Sequence, residues 1–221
     1  MSSNDEIIEA CRTGDITTLR TLLKDTETDK ELLLNAAARA NQVSVLQYLF
    51  TLDPNTKISH ELILSALAGG SEAYKTLYEH DASILNHDLG HLGDALTNAT
   101  MSQNLDLVTF LLSKGLDPNE SRMGYRAVID IAAGYATPAI VKALLSHGAK
   151  VDGTEALRVA VQQGRPDVLR LLCESGADLN AVLNSEGIFA PGVDSRGTAL
   201  HIATAQGQDE CVKVLKEFGA A

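Results

Sequence analysis

The chain has no tryptophan, and aromatic residues make up only 4 % of its 221 positions. A core built around large rings is therefore not expected, and close-packed helices rich in Ala and Leu are. There are three cysteines, Cys11, Cys173 and Cys211, spaced too widely to form a metal or redox motif. No apolar run approaches the ~18 residues of a membrane span. The opening residues, Met1 to Glu6, lack both the basic and the apolar part of a secretory signal. These absences predict a reduced, soluble protein of the cytoplasm or nucleus, with no membrane partner. Positive charge is also scarce, 18 Lys and Arg against 29 Asp and Glu, for a net charge of −11. That balance argues against a general nucleic-acid binder, which needs clustered Lys and Arg. The deficit is uneven. Residues 1–110 carry 16 acidic and 7 basic side chains, and residues 111–221 carry 13 and 11.

What the chain does have is a recurring pattern. Hydrophobic residues make up 45 % and charged residues 21 %, enough apolar surface to fold. Seven segments align on Gly14, Asn41, Gly70, Gln103, Ala136, Gly164 and Gly207, at gaps of 27, 29, 33, 33, 28 and 43 residues. Four residues before each stands an alanine: Ala10, Ala37, Ala66, Ala99, Ala132, Ala160 and Ala203. Three residues further back stands a large aliphatic: Ile7, Leu34, Ile63, Leu96, Ile129, Leu157 and Leu200. An i, i+3 pair shares one helical face, so each segment predicts a helix with a small contact point and a large filler. The aligned residue ends that helix, where Gly and then Asn best tolerate positive φ. Gln103 and Ala136 fit less well, and a different turn is expected at both. A second helix follows each turn, marked by pairs such as Leu49-Phe50, Leu111-Leu112 and Leu171-Leu172.

The run Thr198-Ala199-Leu200-His201-Ile202-Ala203, followed by Gly207 and then Val212, Val214, Leu215 and Gly219, resembles the ankyrin repeat. That family has a ~33-residue period and a T-P-L-H-x-A opening. A second copy runs from Ala156-Leu157 through Ala160, Gly164 and Leu171-Leu172 to Gly176-Ala177-Asp178-Leu179-Asn180. The resemblance implies an all-α ankyrin-repeat solenoid, in which about seven stacked helix-turn-helix units are joined by short β-hairpin connectors. The units are expected near 5–26, 31–53, 60–82, 93–119, 126–152, 155–180 and 197–221, in one domain spanning 1–221 with a loop insertion at 181–196. The repeats diverge from the family pattern. Only Thr198 and His201 supply both the Thr and the His that brace its turn, and position 199 is Ala. The divergence, including the stretch His87 to Leu96, is similar to the fungal style of repeat.

Sites of chemistry are few. His87, Asp88, His91 and Asp94 hold metal-ligand types, but Gly90 and Gly93 place them in a connector. There Asp94 reads as a helix N-cap, and no metal site is predicted. No nucleophile, phosphate-binding or dinucleotide motif is present, so neither a catalytic residue nor a cofactor is expected. The resemblance implies a non-catalytic module that binds a protein or peptide through its concave groove and hairpin tips. The two positions before each aligned residue face that groove in the family, which singles out Arg39, Met101, Tyr135 and Gln163. Hairpin positions add Arg122 and Tyr125, and the insertion adds Phe189 and Arg196. Tyr, Met and Arg are the types enriched at interface centres. Arg122, Arg126, Arg158 and Arg196 are candidates for a basic patch, or else surface arginines paired with nearby acids. Two alternatives stay open. The groove and the 183–194 loop could enclose a small-molecule or catalytic pocket. The apolar Cys211, Val212, Val214 and Phe218 could make the C-terminal edge a self-association surface, or one covered by more of a longer chain.

Overall fold

The computed structural model describes residues 3–24, 28–182 and 197–221, with the side chains of Ser3 and Arg122 left aside. Its contacts divide the chain into two compact units, Met1–Leu89 and Gly90–Ala221. The first holds α1 (Ser3–Thr13), α2 (Ile16–Leu22), α3 (Lys30–Arg39), α4 (Val43–Leu52), α5 (His60–Gly69) and α6 (Ser71–His80), closed by a 3-10 turn at Ala82–Asn86. The second opens with a 3-10 turn at Gly90–Leu92. It continues through α7 (Ala95–Met101), α8 (Leu105–Ser113), strands β1 (Arg122–Met123) and β2 (Arg126–Ala127), α9 (Val128–Tyr135), α10 (Pro138–Ser146), α11 (Ala156–Gln162), α12 (Pro166–Glu174), α13 (Ala199–Ala205) and α14 (Asp209–Glu217). Within each unit the odd-numbered helices pack in one row and the even-numbered helices in another. Short connectors turn each odd helix back onto its even partner.

The rows form where the small and large residues alternate. All seven alanines of the pattern are buried, none more than 4 % exposed, and so are six of the seven aliphatics, Leu200 alone being half-buried. Polar side chains start many of the helices. Asp15, Asp29, Ser59, Asn104 and Thr198 each accept a backbone N–H of their own first turn, as N-caps do. The expected hairpin connector is a strand pair between α8 and α9, where Arg122 faces Ala127 and Met123 faces Arg126. Among the described residues it is the only sheet.

The inter-helix turns differ from expectation at one of two places. Gln103 adopts φ 57°, beside φ 55° at Asn41, so it makes the same left-handed turn at a steric cost that Gly would avoid. Ala136 does depart, at φ −80° and ψ 163°. Thr137, which precedes Pro138 at the start of α10, is extended as well, at φ −65° and ψ 152°, because a proline keeps the residue before it out of the helical region. Gly70 sits at φ 141° and ψ 172°, a region open to Gly alone.

Two positions expected to face a groove serve packing instead. A Cβ on Gly69 would stand 1.9 Å from the carbonyl oxygen of Ala38, because α5 lies directly on the backbone of α3. Gly134 is buried, and a Cβ there would meet Val159 Cγ1 at 3.0 Å. The C-terminal edge is mixed. Cys211 and Val214 are buried where α14 packs on α12 and α13, while Glu210, Lys213, Lys216 and Glu217 are exposed. Val212 and Phe218 are half-buried among these charged side chains.

Gly69→Ala should lower the stability of the chain by about 2 kcal/mol, even though Ala exceeds Gly by ~1 kcal/mol in helix propensity, because the obstacle is the backbone of α3. Gln103→Gly should raise it by about 0.5–1 kcal/mol, through relief of the left-handed residue. Urea unfolding midpoints check both. A neutral Gly69→Ala would mean that the two helices are free to separate.

Candidate functional site

Met101 and Tyr135 end α7 and α9, and Gln163 follows α11 directly. These three helices are neighbours in one row of the second unit. All three side chains are exposed, Met101 by 52 % and Tyr135 by 53 %. Tyr125 stands at the tip of the β1–β2 hairpin, 69 % exposed, with the Arg126 guanidinium 6.0 Å from its ring centre. Arg39 ends α3 in the first unit and is exposed. Arg122 lies in β1, but its side chain is outside the described structure, as are Phe189, Arg196 and the 183–194 loop with the pocket it was expected to close.

The basic patch loses a member. Arg158 is fully buried, its Nε paired with Glu155 and its Nη1 donating to Gln162 Oε1 at 2.9 Å. It occupies the place of His201 in the opening tetrapeptide of its own repeat. That bracket is closed four ways in the second unit. Asp94 accepts Thr97 N–H at 2.8 Å, Asp130 reaches back to Ala127 N–H at 3.2 Å, Arg158 pairs with Glu155, and Thr198 accepts His201 N–H at 3.2 Å. Asp94 is thus a cap, as its sequence position suggested. His87 meets His60 instead, Nε2 to Nδ1 at 3.2 Å. No group of three or more His, Cys, Asp or Glu suited to a metal ion occurs among the described residues.

A second set of side chains ties one repeat to the next, and the sequence alone did not disclose it. Asn119 donates to Gly148 O at 3.0 Å and accepts Lys150 N–H at 2.9 Å. Asp152 accepts Asp178 N–H, and Asn180 accepts Ala221 N–H. Arg165 reaches back to α9 and donates to the carbonyls of Ala132, Ala133 and Ala136. In the first unit, Gln42 donates to Arg12 O at 2.9 Å. The only available signal was the Asp-x-Asn endings at residues 117–119 and 178–180.

Between the hairpin and the 150–155 connector lies a cavity of about 440 Å³, with Tyr125, Arg126, Asp130, Lys150 and Glu155 on its walls. Burial raises the Asp130 carboxyl above its ordinary range, and its oxygens are taken by Glu155 N–H at 2.8 Å and Ala127 N–H. It therefore acts as a brace. The thiols of Cys11 and Cys173 are buried and pushed up to about 11, so neither is a thiolate at neutral pH.

The family model for ankyrin repeats (3 copies) matches residues 96–182. The chain is similar to the human protein "Transient receptor potential cation channel subfamily A member 1", 24 % identical over 162 residues, covering 70 % of this chain and 14 % of that protein. It is also similar to alpha-latrocrustotoxin-Lt1a of Latrodectus tredecimguttatus, 28 % identical over 113 residues, covering 49 % of this chain and 8 % of that protein. The chain thus spans a seventh or less of these relatives. In fold it matches the crystal structure of the human ASB11 ankyrin repeat domain, with a TM-score of 0.75 at 21 % identity, over 97 % of this chain and 98 % of that one. Ankyrin repeats are in general modules of protein interaction.

Arg165→Ala should cost about 2 kcal/mol, because it strands helix-end carbonyls that had a charged donor, and Arg165→Lys should recover only part of that, lacking the planar fork. Asp130→Asn tests the buried carboxyl. A raised folded-state pKa means that the wild type loses stability as pH rises from the ordinary carboxylate range through that value. The stability gap between wild type and Asp130→Asn should therefore be widest at low pH and narrow over that window in urea titrations. A gap independent of pH would contradict the assignment.

Proposed function

Because the chain is an ankyrin repeat protein, we propose that it is a non-catalytic module binding a protein or peptide partner through the exposed ends of its first helices and the neighbouring hairpin tip. The observation that carries this reading is the row Met101, Tyr135 and Gln163, presented by three packed helices, with Tyr125 on the hairpin beyond them. Met and Tyr are enriched at interface centres, Tyr for a large contact area with two rotors and Met for an adaptable thioether. The helices below them are fixed by buried alanines and cross-repeat hydrogen bonds, so docking orders little that is not already ordered. A complex of standard size would use ~800 Å² of this surface. The three unpaired, buried cysteines support a reducing compartment, cytoplasm or nucleus.

The test is affinity capture from a lysate of the source organism, using wild type beside Met101→Glu/Tyr135→Ala/Gln163→Ala. One protein retained in stoichiometric amount by wild type, and reduced about tenfold, or ~1.4 kcal/mol, by the variant at unchanged helicity, is the expected result. A partner indifferent to the three substitutions would move the interface off this row.

A further inference from the structure

The first unit carries its own recess. A groove of about 420 Å³ crosses α1, α3 and α5. Its apolar part is Ile8, Leu32 and Ala36, and Leu32 is 47 % exposed. Arg12 and Arg39 stand in the last turns of α1 and α3, at equivalent places in adjacent repeats. Both are exposed. The only carboxylate near Arg12 among the described ion pairs is Glu9, at 3.9 Å, and Arg39 makes no ion pair among the described residues. Glu61, the one acidic residue on the groove, lies in the first turn of α5, about two helical turns below the level of the arginines. Two further polar atoms on the lining, Asn35 Oδ1 and Ser65 Oγ, are buried without a hydrogen-bond partner. Native interiors leave few such atoms unsatisfied.

Charge gives the recess its direction. Residues 1–89 carry 14 acidic and 7 basic side chains, yet this groove has two arginines to one carboxylate. A helix C-terminus favours a basic residue by ~0.3–1 kcal/mol, which accounts for each arginine singly. It does not account for an exposed leucine and two unsatisfied polar atoms in the same recess. Neighbouring helices lie ~8–10 Å apart, so the two guanidinium groups repeat at about that interval. A polyproline II segment has three residues per turn and rises ~3.1 Å per residue, so its residues i and i+3 share a face about 9 Å apart. The spacings match.

We propose that this groove receives an extended acidic segment of a partner protein. Carboxylates at i and i+3 pair with Arg12 and Arg39, and a large apolar side chain between them rests on Ile8 and Ala36, one turn below the arginines. The backbone of the segment supplies the partners that Asn35 and Ser65 lack, after rotation of their side chains. This assignment rests on the binding-module reading and adds a second contact surface with a defined chemistry.

The probe is the peptide Gly-Glu-Pro-Leu-Glu-Gly, blocked at both ends, titrated into the full chain and followed by backbone amide NMR. Saturable shifts confined to α1, α3 and α5, with affinity falling about tenfold for the Gln-for-Glu peptide and for Arg12→Glu/Arg39→Glu, are expected. Absence of saturable shifts up to ~1 mM, the weak end of measurable affinity, would overturn the proposal. So would shifts that the arginine variant leaves unchanged, or shifts lying only in the second unit. A partner captured through Met101, Tyr135 and Gln163 but indifferent to Arg12→Glu/Arg39→Glu would overturn this groove alone and leave the binding-module reading standing.

Discussion

First helices pack against one another through the position four residues before each inter-helix turn, which is alanine in every repeat. All seven such alanines are buried, and at Gly69 even a methyl group would strike the backbone of α3. Close approach lets each flanking aliphatic fill the space between repeats. It also brings the carbonyl end of one helix within reach of the side chains of the next repeat. At four of the second helices the N-cap residue is put to one of two uses, and its length decides which. Asp15 and Asn104 are short and cap their own helix. Gln42 and Arg165 are long, and they reach back to carbonyls of the preceding repeat at Arg12, Ala132 and Ala133.

This constraint explains why the repeat was legible in the sequence although its best-known tetrapeptide was nearly absent. Packing positions admit few solutions, so Ala and a large aliphatic recur at a fixed interval. The bracket at the start of each first helix admits many. Asp94 with Thr97, Asp130 with the Ala127 amide, Glu155 with Arg158, and Thr198 with His201 all close it. Each pairs a donor with an acceptor three residues apart, and no residue type recurs at the same position of the bracket. Arg158 read as a surface arginine for that reason. Its neighbours Glu155 and Gln162 are ordinary helix residues whose role depends on burial, which local sequence does not encode.

The candidate surface was legible to the extent that it follows from register. Counting back from each turn placed Met101, Tyr135, Gln163 and Arg39 at helix ends, where they are exposed. The same count placed Gly69 and Gly134 there too, and it failed because these two spend their lack of a side chain on helix contact. The groove in the first unit stayed hidden. Its lining comes from three helices, and Leu32 differs from a core leucine only in which neighbours stop short of it.

On the proposed reading the molecule keeps stability and recognition on separate atoms. The alanines, brackets and cross-repeat hydrogen bonds use positions that face inward or along the stack. The residues at the free ends of the first helices take little part in them. Met101 and Tyr135 are exposed, so a substitution there leaves the helix packing in place, whereas one at Gly69 or Arg165 does not. Rigid spacing between repeats then becomes part of recognition, because it sets the interval at which successive side chains meet a ligand. On this view the partner is selected by the order of side chains along the row, and the repeat pattern sets only the ruler.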